Sequence, residues 1–177
     1  ENARKRMLVW ETKTGKLVRE ILGRATPVGF SPDSRRLLLD DGHGRPLRVV
    51  EVGGDGKQLL IGEPGGVNEV IGEAYSDSAI TYGVDRSLRG WDLTTGTSLW
   101  HTFPTQSDAA ITTSPDGSKF AYYAEKEQAI RIFDSASGRP IGSINTARPT
   151  RGMSLSDNGA RLLTIDASGA TDNRGNQ

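Results

Sequence analysis

Short apolar runs alternate with polar turn clusters along the whole chain. Arg36-Leu37-Leu38-Leu39, Phe120-Ala121-Tyr122-Tyr123 and Arg161-Leu162-Leu163-Thr164-Ile165 each have the length of an ordinary strand. No stretch carries the 3.6-residue period of a ten-residue amphipathic helix. The breaks between runs are of two kinds, a Ser-Pro-Asp-Gly turn and a Thr-x-x-Gly turn. In both, Gly supplies a positive φ and Asp hydrogen-bonds its own backbone. The expected elements are therefore strands joined by tight turns.

These turns recur with a fixed period. Val9-Trp10-Glu11-Thr12-Lys13-Thr14-Gly15 returns as Val49-Val50-Glu51-Val52-Gly53-Gly54-Asp55-Gly56, as Gly90-Trp91-Asp92-Leu93-Thr94-Thr95-Gly96 and as Ile132-Phe133-Asp134-Ser135-Ala136-Ser137-Gly138, with closing glycines 41, 40 and 42 residues apart. Ser31-Pro32-Asp33, Ser76-Asp77, Ser114-Pro115-Asp116-Gly117 and Ser156-Asp157-Asn158-Gly159 interleave with them, their aspartates 44, 39 and 41 apart. A period near 41 with four strands per unit predicts an all-β fold of four-stranded antiparallel propeller blades. In the strand before each Thr-x-x-Gly turn, Met7/Val9, Leu47/Val49, Leu88/Gly90 and Ile130/Ile132 share one face, and Trp10, Val50, Trp91 and Phe133 share the other. Both faces are apolar, so each sheet is expected to lie between two others, with Trp10, Trp91 and Phe133 in the packing column.

The register divides the chain into the end of one blade (residues 1–22), three full blades (25–62, 66–104 and 107–146), the start of another (149–168) and a polar tail (169–177). That makes sixteen strands, about four blades' worth. The expected form is an open arc in which the edges of residues 7–22 and 149–168 do not pair, so that the chain self-associates or is held by further blades of the same chain.

Tyr82-Gly83-Val84-Asp85-Arg86-Ser87-Leu88-Arg89-Gly90-Trp91-Asp92 resembles the end of a WD repeat, and Ser114-Pro115-Asp116-Gly117 resembles the turn that opens the second strand of such a repeat. Ser114-Pro115-Asp116-Gly117 followed by Phe133-Asp134-Ser135-Ala136-Ser137-Gly138 is also similar to bacterial propellers of the surface-layer and TolB-like kinds. In the WD-repeat family a Ser/Thr, a turn Asp, a strand Trp and a loop His form a hydrogen-bonded tetrad. Thr81, Asp85 and Trp91 stand in three of these places, and no His stands in the fourth. The other repeats depart further, with Glu127 and Phe133, or Gly44 and Val50, in the Asp and Trp columns. The resemblance implies structural roles for Thr81, Asp85, Trp91, Trp10, Phe133 and Asp116. It also implies a non-catalytic protein-protein interaction scaffold that binds through one rim. That rim comprises the loops Asp41 to Arg45, Val84 to Arg86 and Ala124 to Glu127 and the inter-blade loops near Glu63, Pro104 and Arg148 to Arg151. Its candidate binding residues are His43, Arg45, Arg86, Glu125, Lys126, Arg148 and Arg151. The competing classes are a propeller lyase or hydrolase and an envelope or surface structural propeller.

Composition narrows the chemistry. With 22 basic and 22 acidic residues among 177, the formal charge is zero. This leaves no electrostatic footprint for nucleic acid. No apolar run approaches ~18 residues, so no membrane span is expected. Cysteine is absent, which excludes disulfides and thiolate chemistry. Of the two histidines, His43 lies in Asp40-Asp41-Gly42-His43-Gly44, read as a solvated turn. His101 lies near Ser98 on an outer strand, without a nucleophile elbow. Gly53-Gly54-Asp55-Gly56 lacks a P-loop lysine, and the run Asp166 to Asn173 lacks the order of a calcium loop. No catalytic group, metal or cofactor is therefore expected. Arg4-Lys5-Arg6 and Arg35-Arg36 read as a strand terminus and a turn, and Trp100 as a single exposed aromatic on an outer strand. Met7-Leu8-Val9-Trp10 is too short for a signal-peptide core. The sequence begins at Glu1 and reads as part of a longer chain. Its compartment is left open, with the cytoplasm slightly favoured.

Overall fold

The computed structural model describes residues 6–62, 65–71, 77–104 and 110–166. The expectations placed on residues 1–5, Glu63, Ser76, the run from Ala167 to Asn173 and the rest of the polar tail lie outside these.

The described residues form sixteen strands and one 3-10 turn, Glu125–Glu127. An opening pair, β1 (Arg6–Trp10) and β2 (Leu17–Leu22), is followed by three four-stranded sheets. Blade one holds β3 (Thr26–Phe30), β4 (Arg36–Asp40), β5 (Leu47–Glu51) and β6 (Gln58–Ile61). Blade two holds β7 (Val67–Ile71), β8 (Ser78–Gly83), β9 (Leu88–Asp92) and β10 (Ser98–Thr102). Blade three holds β11 (Ile111–Thr113), β12 (Lys119–Ala124), β13 (Ala129–Asp134) and β14 (Pro140–Asn145), and a closing pair follows, β15 (Thr150–Leu155) and β16 (Leu162–Asp166). Within each sheet every strand pairs antiparallel with its sequence neighbour. The fold is an all-β, propeller-like array of four-stranded blades. Among the described residues β1 pairs only with β2 and β16 only with β15, so the array is open.

Alternation along the second and third strands of each blade builds the cores. Leu37 and Leu39 of β4 face back, where with Val50 and Val52 they pack on Val9 and Ile21 of the opening pair. Leu38, between them, faces forward and joins Leu47, Val49 and Ile61 against Val67, Ala79, Trp91 and Leu93 of blade two. The same step repeats twice. Ile80, Tyr82 and Leu88 meet Phe120, Tyr122 and Phe133, and then Ala121, Tyr123 and Ile130 meet Leu155 of the closing pair. Strands buried on both faces read as continuous apolar runs rather than as alternating ones, which explains Leu37-Leu38-Leu39.

Two expectations are corrected. Trp10 is 53% exposed, whereas Val50, Trp91 and Phe133 of the same column are 1%, 6% and 7% exposed. That column faces the preceding sheet, and no described sheet precedes β1. Trp100, expected as an isolated surface aromatic, instead crosses to the next blade. Its ring stacks on Phe120 at 5.0 Å and 5°, and its indole Nε1 donates to the Ser135 carbonyl at 2.7 Å.

Trp100 is one of a column of outer-strand side chains that lean over the turn glycine of the following blade. A Cβ on Gly138, at φ +65°, would meet Trp100 at 2.6 Å. One on Gly96 would meet Leu59 at 2.7 Å, and one on Gly56 would meet Arg19. The Arg19 guanidinium also donates to the carbonyls of Val52, Gly53 and Gly54 at 2.7, 3.0 and 2.9 Å. The periodic glycines thus serve the blade interface as well as the turn, because a side chain there would exclude the neighbouring blade.

Candidate binding rim

In a meander of four antiparallel strands, the turn between the second and third strands and the connection from the fourth to the next blade emerge at the same end. The structure ties these segments together through their backbones. Gly44 N donates to Val67 O at 2.9 Å, Val67 N to Arg45 O at 3.1 Å, and Val84 N to Gly66 O at 3.1 Å. The contact is so close that a Cβ on Gly66 would lie 2.1 Å from the Gly44 carbonyl carbon. In blade three, Thr146 N and Oγ1 both donate to the Gln128 carbonyl, at 2.8 and 3.1 Å. Loops joined in this way form a firm rim, which suits a recognition surface.

His43, Arg45, Arg86, Glu125, Lys126, Arg148 and Arg151 all lie exposed at this rim. Six of them stand on loops or turns of successive blades, whereas Arg151, expected on an inter-blade loop, is the second residue of strand β15, because the strand already begins at Thr150. Arg86 sits at φ 66° in the left-handed region, held by its N–H to the Gly83 carbonyl at 3.0 Å. No group of three His, Cys, Asp or Glu side chains able to hold a metal ion comes together among the described residues. His43 and His101 lie in different blades, and His101 makes an edge-to-face contact with Phe103 at 6.0 Å.

The positions with family-like structural roles separate into two contacts. Trp91 Nε1 donates to Thr81 Oγ1 at 2.8 Å in a buried setting. Asp85 is occupied within its own turn: Oδ1 accepts from Ser87 N at 2.9 Å and Ser87 Oγ at 2.6 Å, and Oδ2 accepts from Arg89 at 2.9 Å. Burial pushes its pKa up, but the Ser87 and Arg89 donors outweigh this, and the carboxyl titrates below its ordinary value.

That Arg89 contact belongs to a column which sequence reading missed. Arg48 makes a two-point pair with Asp41 at 2.7 and 3.0 Å, and Arg131 pairs with Glu127. Arg48, Arg89 and Arg131, spaced 41 and 42 residues apart, rise from the third strand of each blade to hold the acid of its rim loop. The planar guanidinium can grip a carboxylate at two points, as Arg48 does on Asp41. The signal was available in the sequence as a periodic arginine four to seven residues after an acid.

The opposite rim is built from the Ser-Asp turns. Ser31 Oγ donates to Asp33 at 2.6 Å and Ser114 Oγ to Asp116 at 2.6 Å, while Arg36 N and Lys119 N return bonds to the same serine oxygens at 2.9 and 3.0 Å. The serine hydroxyl first, and then a backbone N–H, hold both carboxyls below their ordinary range. These turns also latch blades together, since Arg36 pairs with Asp77 at 2.9 Å and Lys119 Nζ reaches the Asn158 carbonyl at 2.5 Å. A groove of about 430 Å³ on this side is lined by Val9, Trp10, Val18, Phe30 and Val52, among others.

No protein-family model matches the chain, and no curated protein matches it in sequence.

Proposed function

We propose that the chain is a non-catalytic protein-protein interaction scaffold built from WD-repeat-like propeller blades, and that it binds through the rim carrying His43, Arg45, Arg86, Glu125, Lys126, Arg148 and Arg151. The observation that carries this reading is the rim's construction. Its loops are fastened to one another by backbone hydrogen bonds through Gly44 and Gly66. Its acids Asp41, Asp85 and Glu127 are held by strand arginines, while the candidate binding side chains stand exposed. A scaffold of this kind presents side chains at fixed positions without ordering them on binding, which favours affinity. The family part of the reading is supported by the resemblance of residues 82–92 and 114–117 to parts of a WD repeat.

Selection of binders from a random peptide display library tests it. Binders should lose at least ten-fold in affinity to Arg45→Glu or Arg86→Glu. They should keep it with Arg35→Glu and Lys57→Glu on the other rim. Binders that map to the second pair instead would overturn the assignment of the rim.

A further inference from the structure

The two rims carry their charge differently. At the rim of the β4–β5, β8–β9 and β12–β13 turns the loop acids are taken up from within. Arg48 holds Asp41, Arg89 holds Asp85 and Arg131 holds Glu127, and Asp40 accepts from the Gly42 N–H at 2.7 Å. The basic side chains of the same end have no such partner. Among the described residues no acid pairs with Arg24, Arg45, Arg86, Lys126, Arg148 or Arg151, and all six are exposed. Arg24 joins this set because the β2–β3 connection reaches the rim, where a Cβ on Gly23 would stand 3.8 Å from the Arg48 guanidinium. The exposed acids left there without a cation are Glu125 and, opposite Thr150 at the end of β16, Asp166. The described residues of this rim thus carry an excess of positive charge on a chain that is neutral as a whole.

The opposite rim is mixed in sign. Asp92, Asp116 and Asp134 are held by hydroxyl and backbone donors rather than by cations, and Lys57 and Arg139 stand exposed among them. The free cations of the first rim are also carried on fixed backbone. Arg45 N donates to Gly42 O at 3.1 Å and its carbonyl accepts from Val67 N at 3.1 Å, Arg86 N donates to Gly83 O at 3.0 Å, and Lys126 lies in the 3-10 turn that Gln128 N closes onto Glu125 O at 3.1 Å. Charges placed in this way lose little backbone freedom when a partner arrives. All but Lys126 are guanidinium groups, charged at every ordinary pH, and the partner that guanidinium takes three times within this same rim is a carboxylate.

We propose that the partner of this rim is an acidic segment of another protein, an extended chain whose Asp and Glu carboxylates are gripped by these free cations. The proposal rests on the rim assignment made above and adds the chemistry of the partner to it. A nucleic-acid strand fits less well, because its phosphates come at every step and would meet Glu125 and Asp166 as well as the cations. A peptide can set neutral residues at those places. One exposed ion pair adds little, so binding needs several at once, and a segment that reaches across successive blades supplies them. The arginine column then has a second role: by neutralising Asp41, Asp85 and Glu127 it keeps the rim's own carboxylates from repelling those of the partner.

The probe is a fluorescein-labelled peptide of alternating Gly and Glu, ~16 residues and about 50 Å long when extended, titrated with the full chain and read by fluorescence anisotropy. It should bind at about 50 mM salt and weaken at least five-fold at about 200 mM, while the same peptide with Lys in place of Glu should not bind. Arg45→Gln with Arg86→Gln should lower affinity at least about ten-fold, and Lys57→Gln with Arg139→Gln on the other rim should leave it within about two-fold. Arg48→Gln, which frees Asp41, should weaken binding about three-fold, and adding Asp41→Asn should restore it. Circular dichroism should show the fold kept in each variant. Equal binding of the two peptides, no binding of the acidic one, or tighter binding of a labelled single-stranded oligonucleotide would overturn the proposal. Library-selected peptides that depend on Arg45 and Arg86 yet carry no excess of Asp and Glu would refute the acidic partner and leave the rim assignment standing. Loss of the acidic peptide in the Lys57→Gln, Arg139→Gln variant alone would sink both.

Discussion

Trp91 and Trp10 occupy the same column of the same repeat, yet Trp91 is 6% exposed with its indole N–H bonded to Thr81, and Trp10 is 53% exposed. Nothing in their immediate sequence separates them, since each sits just before an acid and the polar turn that closes the strand. The difference lies in what stands behind the strand. Blade one covers Trp91, while β1 has no described sheet on that side. Apolar residues of a repeat array therefore owe their burial to a neighbour about forty residues away. The same residue type contributes several kcal/mol in the middle of the array and almost nothing at its ends.

The largest effect expected from this contrast is at Phe120, which is fully buried and stacked between Trp100 at 5.0 Å and Phe133 at 4.8 Å. Phe120→Ala should lower stability by about 3–5 kcal/mol, and the end substitution Leu163→Ala by less than about 0.5 kcal/mol in dilute monomer, both read from urea unfolding. Equal losses would show that the middle and the ends are not distinct. Gly66→Ala should cost about 2–3 kcal/mol, because the new Cβ drives into the Gly44 carbonyl. At Gly42, also at positive φ but with open space around it, alanine brings only the backbone strain, and the two unfolding midpoints should differ accordingly. Thr81→Val, which removes the acceptor for a buried indole N–H, should cost about 1–3 kcal/mol and change Trp91 fluorescence, whereas Trp10→Ala should leave dilute-monomer stability within about 0.5 kcal/mol.

The smallest effect is that of pH on the turns. Asp33, Asp92, Asp116 and Asp134 titrate below their ordinary value of 3.8 in the folded chain. Hydroxyl and backbone donors are the cause, Ser31, Thr95, Ser114 and Ser137 respectively supplying the largest share. A lowered folded pKa gives stability that is complete above the unfolded value and is lost as pH falls through the folded one. The urea midpoint should therefore hold above about pH 4 and decline below it, and Asp116→Asn should shallow that decline. A midpoint that rises on acidification would refute the turn assignment.

The four-strand unit was legible because its punctuation is local. Ser-Pro-Asp-Gly and Thr-x-x-Gly carry their own hydrogen bonds within five residues, so any chain with those turns at that spacing folds them alike. Columns within a strand were legible for the same reason, because alternation is a property of the backbone. The rim residues could be placed on one side from connectivity alone. Their immediate surroundings could not, because Arg48, Arg89 and Arg131 meet their acids only once two strands are paired. Trp100 was misread because its partners, Phe120 and Ser135, belong to a sheet 20 to 35 residues further on.

The sequence by itself determined the strands, the turns, the period and the two apolar faces of each blade. All of these follow from steric and hydrogen-bonding preferences acting over a few residues. Only the tertiary structure decided which of those faces are covered, which turn glycine receives a neighbour's side chain, and that, among the described residues, β1 and β16 do not pair with each other. Burial and edge pairing are relations between sheets, and their free energy exists only once the neighbouring sheet is in place.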